Sequence, residues 1–372
     1  MVCCSCGARS LETLLDLGLQ PDPDSLIELG DPRPAPQAPV VLTICPACGL
    51  VQLPGPRPDG PRPAHGHAMA MSKGDPWIGT IERFLPSGPR VVIDVDGSGG
   101  LPAERLSNAG RVFAGMPSDG AEPSELILVG HALSHVEDFD GLLRRVEASL
   151  APKGVVAIDF HHVLGLADGQ FDVVAHTHRT YLSLISLDRA LDRHGLEVIA
   201  ARRITEYGGT MQVLAARRAD DLGIDDDVFA PQPVRTAETA AQIDCATGFV
   251  GLRRRVQDTC SQLVDHLEDL RRSGRTVAGY GAAARGTTLL NIAGIGNDQV
   301  AFVVDRAPAK QDKLLPGVMI RVGAPSEIAT ARPDDVIILP WPSANGIAGD
   351  LMYTQSWGAR CFVALPRLEV LR

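Results

Sequence analysis

Residues 90–100 read RVVIDVDGSGG. An apolar β-branched run ends at an acid, and a run of small residues follows. That is a strand feeding a glycine-rich turn. The same grammar recurs outward from it. ELILVGHALSHV (125–136) is a strand then a loop, residues 137–151 suit a helix, and GVVAIDF (154–160) is a strand. LISLDRALDRHGLEVIAARRI (184–204) gives a helix, a stop at Gly195 and a strand, and MQVLAARR (211–218) gives another strand. Strands alternating with helices predict an α/β fold with a mostly parallel sheet covered on both faces. Residues 236–273 carry apolar residues at helical spacing, which predicts one long helix broken near Gly248 and Gly251. Beyond it, TVAGYGAAARGTTLL (276–290), QVAFVVDR (299–306), DDVIILPW (334–341) and ARCFVALP (359–366) predict a second, smaller parallel α/β domain.

The chain has 372 residues, 45% of them hydrophobic and 22% charged. At about 150 residues per domain, that length suits two or three domains. The net charge of −10 argues against a nucleic-acid surface. No apolar run reaches the length of a membrane span. The N-terminus MVCCSCGARS lacks the apolar stretch of a signal peptide, so a cytoplasmic location is expected, where thiols stay reduced.

Four of the eight cysteines form two C-x-x-C pairs, Cys3/Cys6 and Cys45/Cys48, each followed by glycine. Two such knuckles supply four thiolates to a closed structural zinc site. Unligated thiols are the alternative. Cys4 is the odd member, because only Cys3 leaves the two-residue gap to Cys6. Cys245, Cys260 and Cys361 sit in apolar or helical settings and read as structural. PGPRPDGPRP (54–63) holds five prolines in ten positions, so it is a linker closing the module. DPRPAPQAP (31–39) reads as a surface loop within it. The divisions are 1–63, a zinc module with its linker; 64–235, a central domain; and 236–372, the long helix with the last α/β domain.

Two turns carry candidate chemistry. In the first, Asp94 with Gly97, Gly99 and Gly100 has the general form of an S-adenosylmethionine loop; a tight strand-to-helix connection is the competing reading. In the second, Gly279-Tyr280-Gly281-Ala282-Ala283-Ala284-Arg285, small residues let a ligand approach the backbone. Arg285 there adds a planar fork suited to phosphate or carboxylate.

Several segments together resemble the C-methyltransferases that act on nucleotide-activated keto-deoxysugars in antibiotic biosynthesis. They are DLGLQP (16–21), CPACGLVQL (45–53), HTHRTYLSL (176–184), GGTMQV (208–213), GYGAAARGTTLLN (279–291), VVDRAPAKQDKLLPG (303–317) and ILPW (338–341). The resemblance runs almost end to end. It implies a zinc-binding N-terminal module, a Rossmann-like class I methyltransferase domain and a C-terminal α/β domain that helps to hold a nucleotide-diphosphate sugar. For that ligand the candidates are Gly281, Arg285, Asn291, Arg306 and Lys310.

The departures from the family pattern are specific. Its E-x-G-x-N-x-G loop is matched here by Asp94, Asp96, Ser98 and Gly100. Met116 stands where an acid usually binds the ribose hydroxyls. Its Tyr-His-Glu-His stretch is Ala175-His176-Thr177-His178 here, and Tyr207-Gly208-Gly209 replaces His-Gly-Gly.

C-methylation beside a ketone needs a base, donors for the enolate and an in-line methyl sulfonium. His178 is the candidate base, with His176 orienting it or binding substrate, and Tyr181 or Tyr207 donating to the enolate oxygen. His131, His135, His161 and His162 follow strand ends and invite the same cleft; solvated loop histidines are the plainer reading. Three functions follow: a methyltransferase, a cofactor-independent ketosugar epimerase or isomerase, and a non-catalytic partner of an active paralogue.

Overall fold

A computed structural model describes residues 2–31, 33–58, 75–87, 90–95, 109–115, 122–223 and 229–371. Asp96, Gly97, Gly99, Gly100 and Met116 lie outside them.

In the N-terminal module β1 (Glu12–Pro21) pairs antiparallel with β3 (Gln37–Ile44), while β2 (Ile27–Glu28) between them leaves for another sheet. The expected surface loop at 31–39 is shorter than its prolines suggest. Its last three residues, Gln37–Pro39, already pair with β1. β4 (Val51–Gln52) continues from β3.

The central sheet is built from β5 (Arg90–Asp94), β6 (Ala109–Ala114), β7 (Ser124–Val129) and β8 (Leu150–His161), all parallel where they adjoin. β9 (Thr180–Tyr181) does not join it. It pairs instead with β4 and so belongs to the N-terminal sheet. The hairpin β10 (Leu196–Ile204) and β11 (Thr210–Arg217) completes the order β10-β11-β8-β7-β5-β6, with β11 antiparallel to both neighbours. The expectation of a mostly parallel sheet fails only at β11, where the chain folds straight back through Tyr207–Gly209.

Helices cover the sheet because alternate residues on its strands face opposite ways. On one face Val92, Leu126, Leu128, Val155 and Ala157 meet Trp77 and Ile81 of α1 (Pro76–Phe84). On the other, Ile93, Ile127, Ile158 and Phe160 meet α3 (Phe139–Ser149) and α4 (Leu184–Asp192), while the short α2 (Ala132–His135) precedes them. Cys3, Cys45, Cys48 and Leu50 are buried in that second cluster. The module is thus part of the central domain's core.

The long helix is broken near the expected glycines, but over a wider span: α5 (Pro231–Ala240) and α6 (Leu252–Arg272) are parted by residues 241–251, which hold a single 3-10 turn (Ala246–Phe249) and end at Gly251, whose φ of 82° suits glycine. The C-terminal sheet has the order β18-β17-β16-β12-β13-β15-β14-β2. Its strands are β12 (Val277–Tyr280), β13 (Val303–Val304), β14 (Lys313–Leu314), β15 (Arg321–Gly323), β16 (Asp335–Ile338), β17 (Arg360–Val363) and β18 (Glu369–Leu371). The middle five strands are parallel and the edges antiparallel. With eight strands it is larger than expected: beside the four read from the sequence it holds the short β14, β15 and β18 and recruits β2 from the N-terminal module. Among the described residues no helix is long and apolar enough to cross a membrane.

One fully buried carboxylate ties α5 to the central domain. Glu238 meets His162 Nε2 at 2.7 Å and accepts the N–H groups of Leu184 and Ile185 at 2.6 and 2.8 Å, at the start of α4. Removing it strands an imidazole and two helix donors in the core. Glu238→Ala is therefore expected to cost about 3–5 kcal/mol, the scale of breaking a buried pair. Urea unfolding will register this as a lower midpoint.

Candidate functional site

The sulfur atoms of Cys3, Cys6, Cys45 and Cys48 all lie within 4.8 Å of one another. Cys3–Cys48 and Cys6–Cys45 are both 3.6 Å apart. Zn–S bonds of about 2.3 Å in a tetrahedron put sulfurs about 3.8 Å apart, so the donor set fits zinc. The knuckles close through Gly7 N–H to Cys3 O (3.0 Å) and Gly49 N–H to Cys45 O (2.8 Å), with glycine φ values of 74° and 73°. The hydrogen bond from the Cys48 thiol draws Cys3 down to about 4, towards the thiolate that metals take. Cys4 stands apart. Its N–H goes to Gln52 Oε1, and burial pushes its thiol up to about 12.

At the carboxyl edge of the central sheet, imidazoles gather. His131 follows β7 and His161 ends β8; their ring centres are 4.7 Å apart. His178 lies 5.7 Å from His161, and it stacks on His135 at 5.0 Å and on Tyr181 at 4.6 Å. The loop carrying His178 is fastened to α2. Arg179 N–H donates to Ser134 O (2.6 Å), Thr180 Oγ1 to Leu133 O (2.7 Å), and His135 Nδ1 meets Thr177 O (2.5 Å). On the zinc side, Leu53 N–H donates to Arg179 O at 2.8 Å. The buried Asp94 ends β5, the middle strand between β6 and β7.

The other sequence candidates fall elsewhere. His176 does not reach the cluster; its Nε2 donates to Ala38 O of β3 at 3.1 Å, pinning the module. His162 turns away from His161, as successive strand residues do, and meets Glu238. Tyr181 is buried, with its hydroxyl 3.5 Å from Val173 O, and burial raises its pKa well above the usual phenol range. Its ring therefore serves as a floor under His178, and its hydroxyl faces the protein. Tyr207 is 46% exposed with φ 56°.

In the C-terminal domain the predicted ligand residues have partners within the protein. Arg285 forms a two-pronged ion pair with Asp172 (2.7 and 2.9 Å), donates to Tyr207 O (2.8 Å) and lies over Trp341, whose Nε1 also donates to Asp172. The small residues before Arg285 let it reach across to the central domain rather than to an open site. Arg306 donates to the Tyr280 hydroxyl (2.8 Å) and pairs with Asp350. Lys310 donates to Ala282 O (2.6 Å), and Asn291 to Thr287 O and Pro316 O (2.8 and 3.0 Å). Gly281, at φ 92°, is packed so closely that a Cβ there would lie 2.5 Å from Pro340. Asp172 and Glu238 escaped the sequence reading, because a lone acid in an apolar stretch or on an amphipathic helix carries no pattern.

Family models match in order along the chain. Residues 3–58 match a model described as "Putative zinc binding domain", residues 60–201 a methyltransferase domain, and residues 205–366 the C-methyltransferase C-terminal domain. The C-methyltransferase NovU of Streptomyces niveus is 30% identical over 305 residues, spanning 78% of this chain and 70% of that protein. The chain belongs to this C-methyltransferase family. Solved structures with a likeness include a magnesium protoporphyrin IX methyltransferase from Synechocystis PCC 6803. It is 11% identical, with a TM-score of 0.31, over 38% of this chain and 79% of that one. A 1,6-didemethyltoxoflavin-N1-methyltransferase from Burkholderia thailandensis is 16% identical, with a TM-score of 0.30, over 45% of this chain and 95% of that one. In this C-methyltransferase the zinc-binding domain and the histidine-bearing loop are joined through β4 and β9.

Replacing Cys45 by Ser removes one of four ligands; metal analysis is expected to find zinc lost together with folded yield. His176 gives a pH signature. Burial lowers its pKa below the usual 6.5, so the unfolded chain takes up the proton more readily. Its contribution to stability is complete above about pH 6.5 and declines as the pH falls below that value. Urea midpoints measured across this range should fall for the natural chain and flatten in His176→Gln.

Proposed function

We propose that the chain transfers a methyl group from S-adenosylmethionine to the carbon beside a ketone in a nucleotide-activated keto-deoxysugar, with His178 as the base. The observation that carries this reading is the imidazole cluster at the carboxyl edge of the central sheet. It is where ligands of such sheets sit, in a chain of C-methyltransferase lineage.

Asp94, buried at the end of β5, is the described residue that would hold the cofactor. When bound, the cofactor supplies an electrophilic methyl on sulfur. The substrate's α-carbon gives its proton to an imidazole nitrogen of His178, and the electron pair moves onto the carbonyl oxygen as an enolate. The enolate carbon then takes the methyl of the cofactor held beside Asp94, the methyl–sulfur bond breaking with its electron pair left on sulfur as a neutral thioether, and the His178 imidazolium releases its proton to solvent. Tyr181 beneath and His135 beside His178 fix the plane of its ring. His135 and His161, with centres 5.0 and 5.7 Å from His178, are the neighbouring imidazoles placed to assist the developing oxyanion. The nucleotide lies towards the cleft between the central and C-terminal domains, where Tyr207 is exposed beside Arg285.

Replacing His178 by Ala is expected to lower methyl transfer by about 10²–10⁴-fold while leaving the calorimetric affinity for S-adenosylmethionine unchanged. In the natural chain, solvent deuterium should enter the keto-sugar before any methyl does. Exchange that proceeds fully in a chain unable to bind the methyl donor at millimolar concentration would replace this reading with an epimerase or isomerase.

A further inference from the structure

A cavity of about 250 Å³ lies between the N-terminal module and the central domain, apart from the cluster of imidazoles. Cys4, Gln52, Leu53, Val136, Glu137 and Arg179 are among its walls. Among the described residues, two buried side-chain donors of these lining residues find no acceptor: Nε2 of Gln52 and Nη1 of Arg179. Gln52 is only 2% exposed, and its oxygen is already occupied by the N–H of Cys4. Buried donors without acceptors are costly and uncommon, and two on one cavity are complementary to a ligand that brings the oxygens.

The rest of the lining narrows the ligand. Arg179 supplies a guanidinium fork, the group best matched to phosphate and carboxylate. Glu137 lies near enough to interact with the Arg179 charge, so an oxyanion that also carries a hydroxyl suits the pocket better than a bare dianion. The volume is below the usual range of pockets for drug-sized molecules, leaving room for one phosphate and a small attached unit.

We propose that this cavity binds a phosphate group in its hydrogen phosphate or monoester form, held by Gln52 Nε2 and Arg179, with Glu137 accepting from its hydroxyl. The site is independent of the methyl-transfer reading. It adjoins the reacting loop, because Arg179 follows His178, and Val136 follows the His135 that stacks upon His178. A bound phosphate would thus brace the seam between β4 and α2.

The test uses the full-length, zinc-loaded protein and calorimetric titration with inorganic phosphate and with glucose 1-phosphate. Binding is expected, and it should weaken about tenfold or more in Gln52→Glu and in Arg179→Met. The first variant keeps the oxygen that receives Cys4 N–H and removes the amide donor. The second keeps the apolar stem. Crystals of the natural chain grown with tungstate should show anomalous density between Gln52 and Arg179, a readout that no folding defect can confuse. A thymidine diphosphate arm separates the sources: displacement of phosphate marks the cavity as a subsite for a nucleotide-linked substrate, and independent binding marks a separate small ligand. No binding of either phosphate probe at millimolar concentration, unchanged affinity in both variants, or tungstate absent from the cavity would each overturn the proposal.

Discussion

Four thiolates gathered within 4.8 Å repel one another unless a cation sits among them, and much of the molecule is hung from that meeting point. The second knuckle, Cys45 to Cys48, runs directly into β4, and β4 pairs with β9. β9 begins two residues after His178. The position of the His178 imidazole is therefore tied to a metal knot on a different part of the chain. The same knuckle residues fill the apolar cluster beneath α3 and α4. A structural ion can in this way set the position of a distant side chain, by fixing the strand against which that side chain's loop is zipped.

The second constraint is electrostatic and lies between the central and C-terminal domains. Asp172 has a side chain that is 1% exposed, and it is satisfied by Arg285 and Trp341 together. A buried carboxylate demands this much company. Arg285 also stacks on Trp341 and holds the Tyr207 carbonyl, so one guanidinium fixes the tight return between β10 and β11 against the C-terminal sheet.

The sequence and the structure agree where local spacing decides the outcome. Two C-x-x-C-G knuckles allow little else than a four-sulfur cluster, and alternating strands and helices with glycine stops reveal a layered α/β chain. His178 could be named because its neighbours match a family pattern. The misplacements arise where long-range pairing decides. His161 and His162 are indistinguishable in a string of letters, yet one faces His131 and the other Glu238, because a strand alternates its faces. The acid partner of Arg285 lies 113 residues earlier, beyond any local pattern. The recruitment of β2 to the C-terminal sheet is equally silent, since two residues carry no periodicity.

That recruitment has a consequence for how the chain is made. Ile27 and Glu28 leave the ribosome long before their partners Leu314 and Lys313. Thr180 and Tyr181 likewise arrive long after the Val51–Gln52 segment they complete. The N-terminal module must therefore wait with open strand edges until the rest of the polypeptide is available, a condition that favours slow assembly and exposes the nascent chain to aggregation. A truncated translation product would be left with the module's edges uncovered, and only the finished chain seals them.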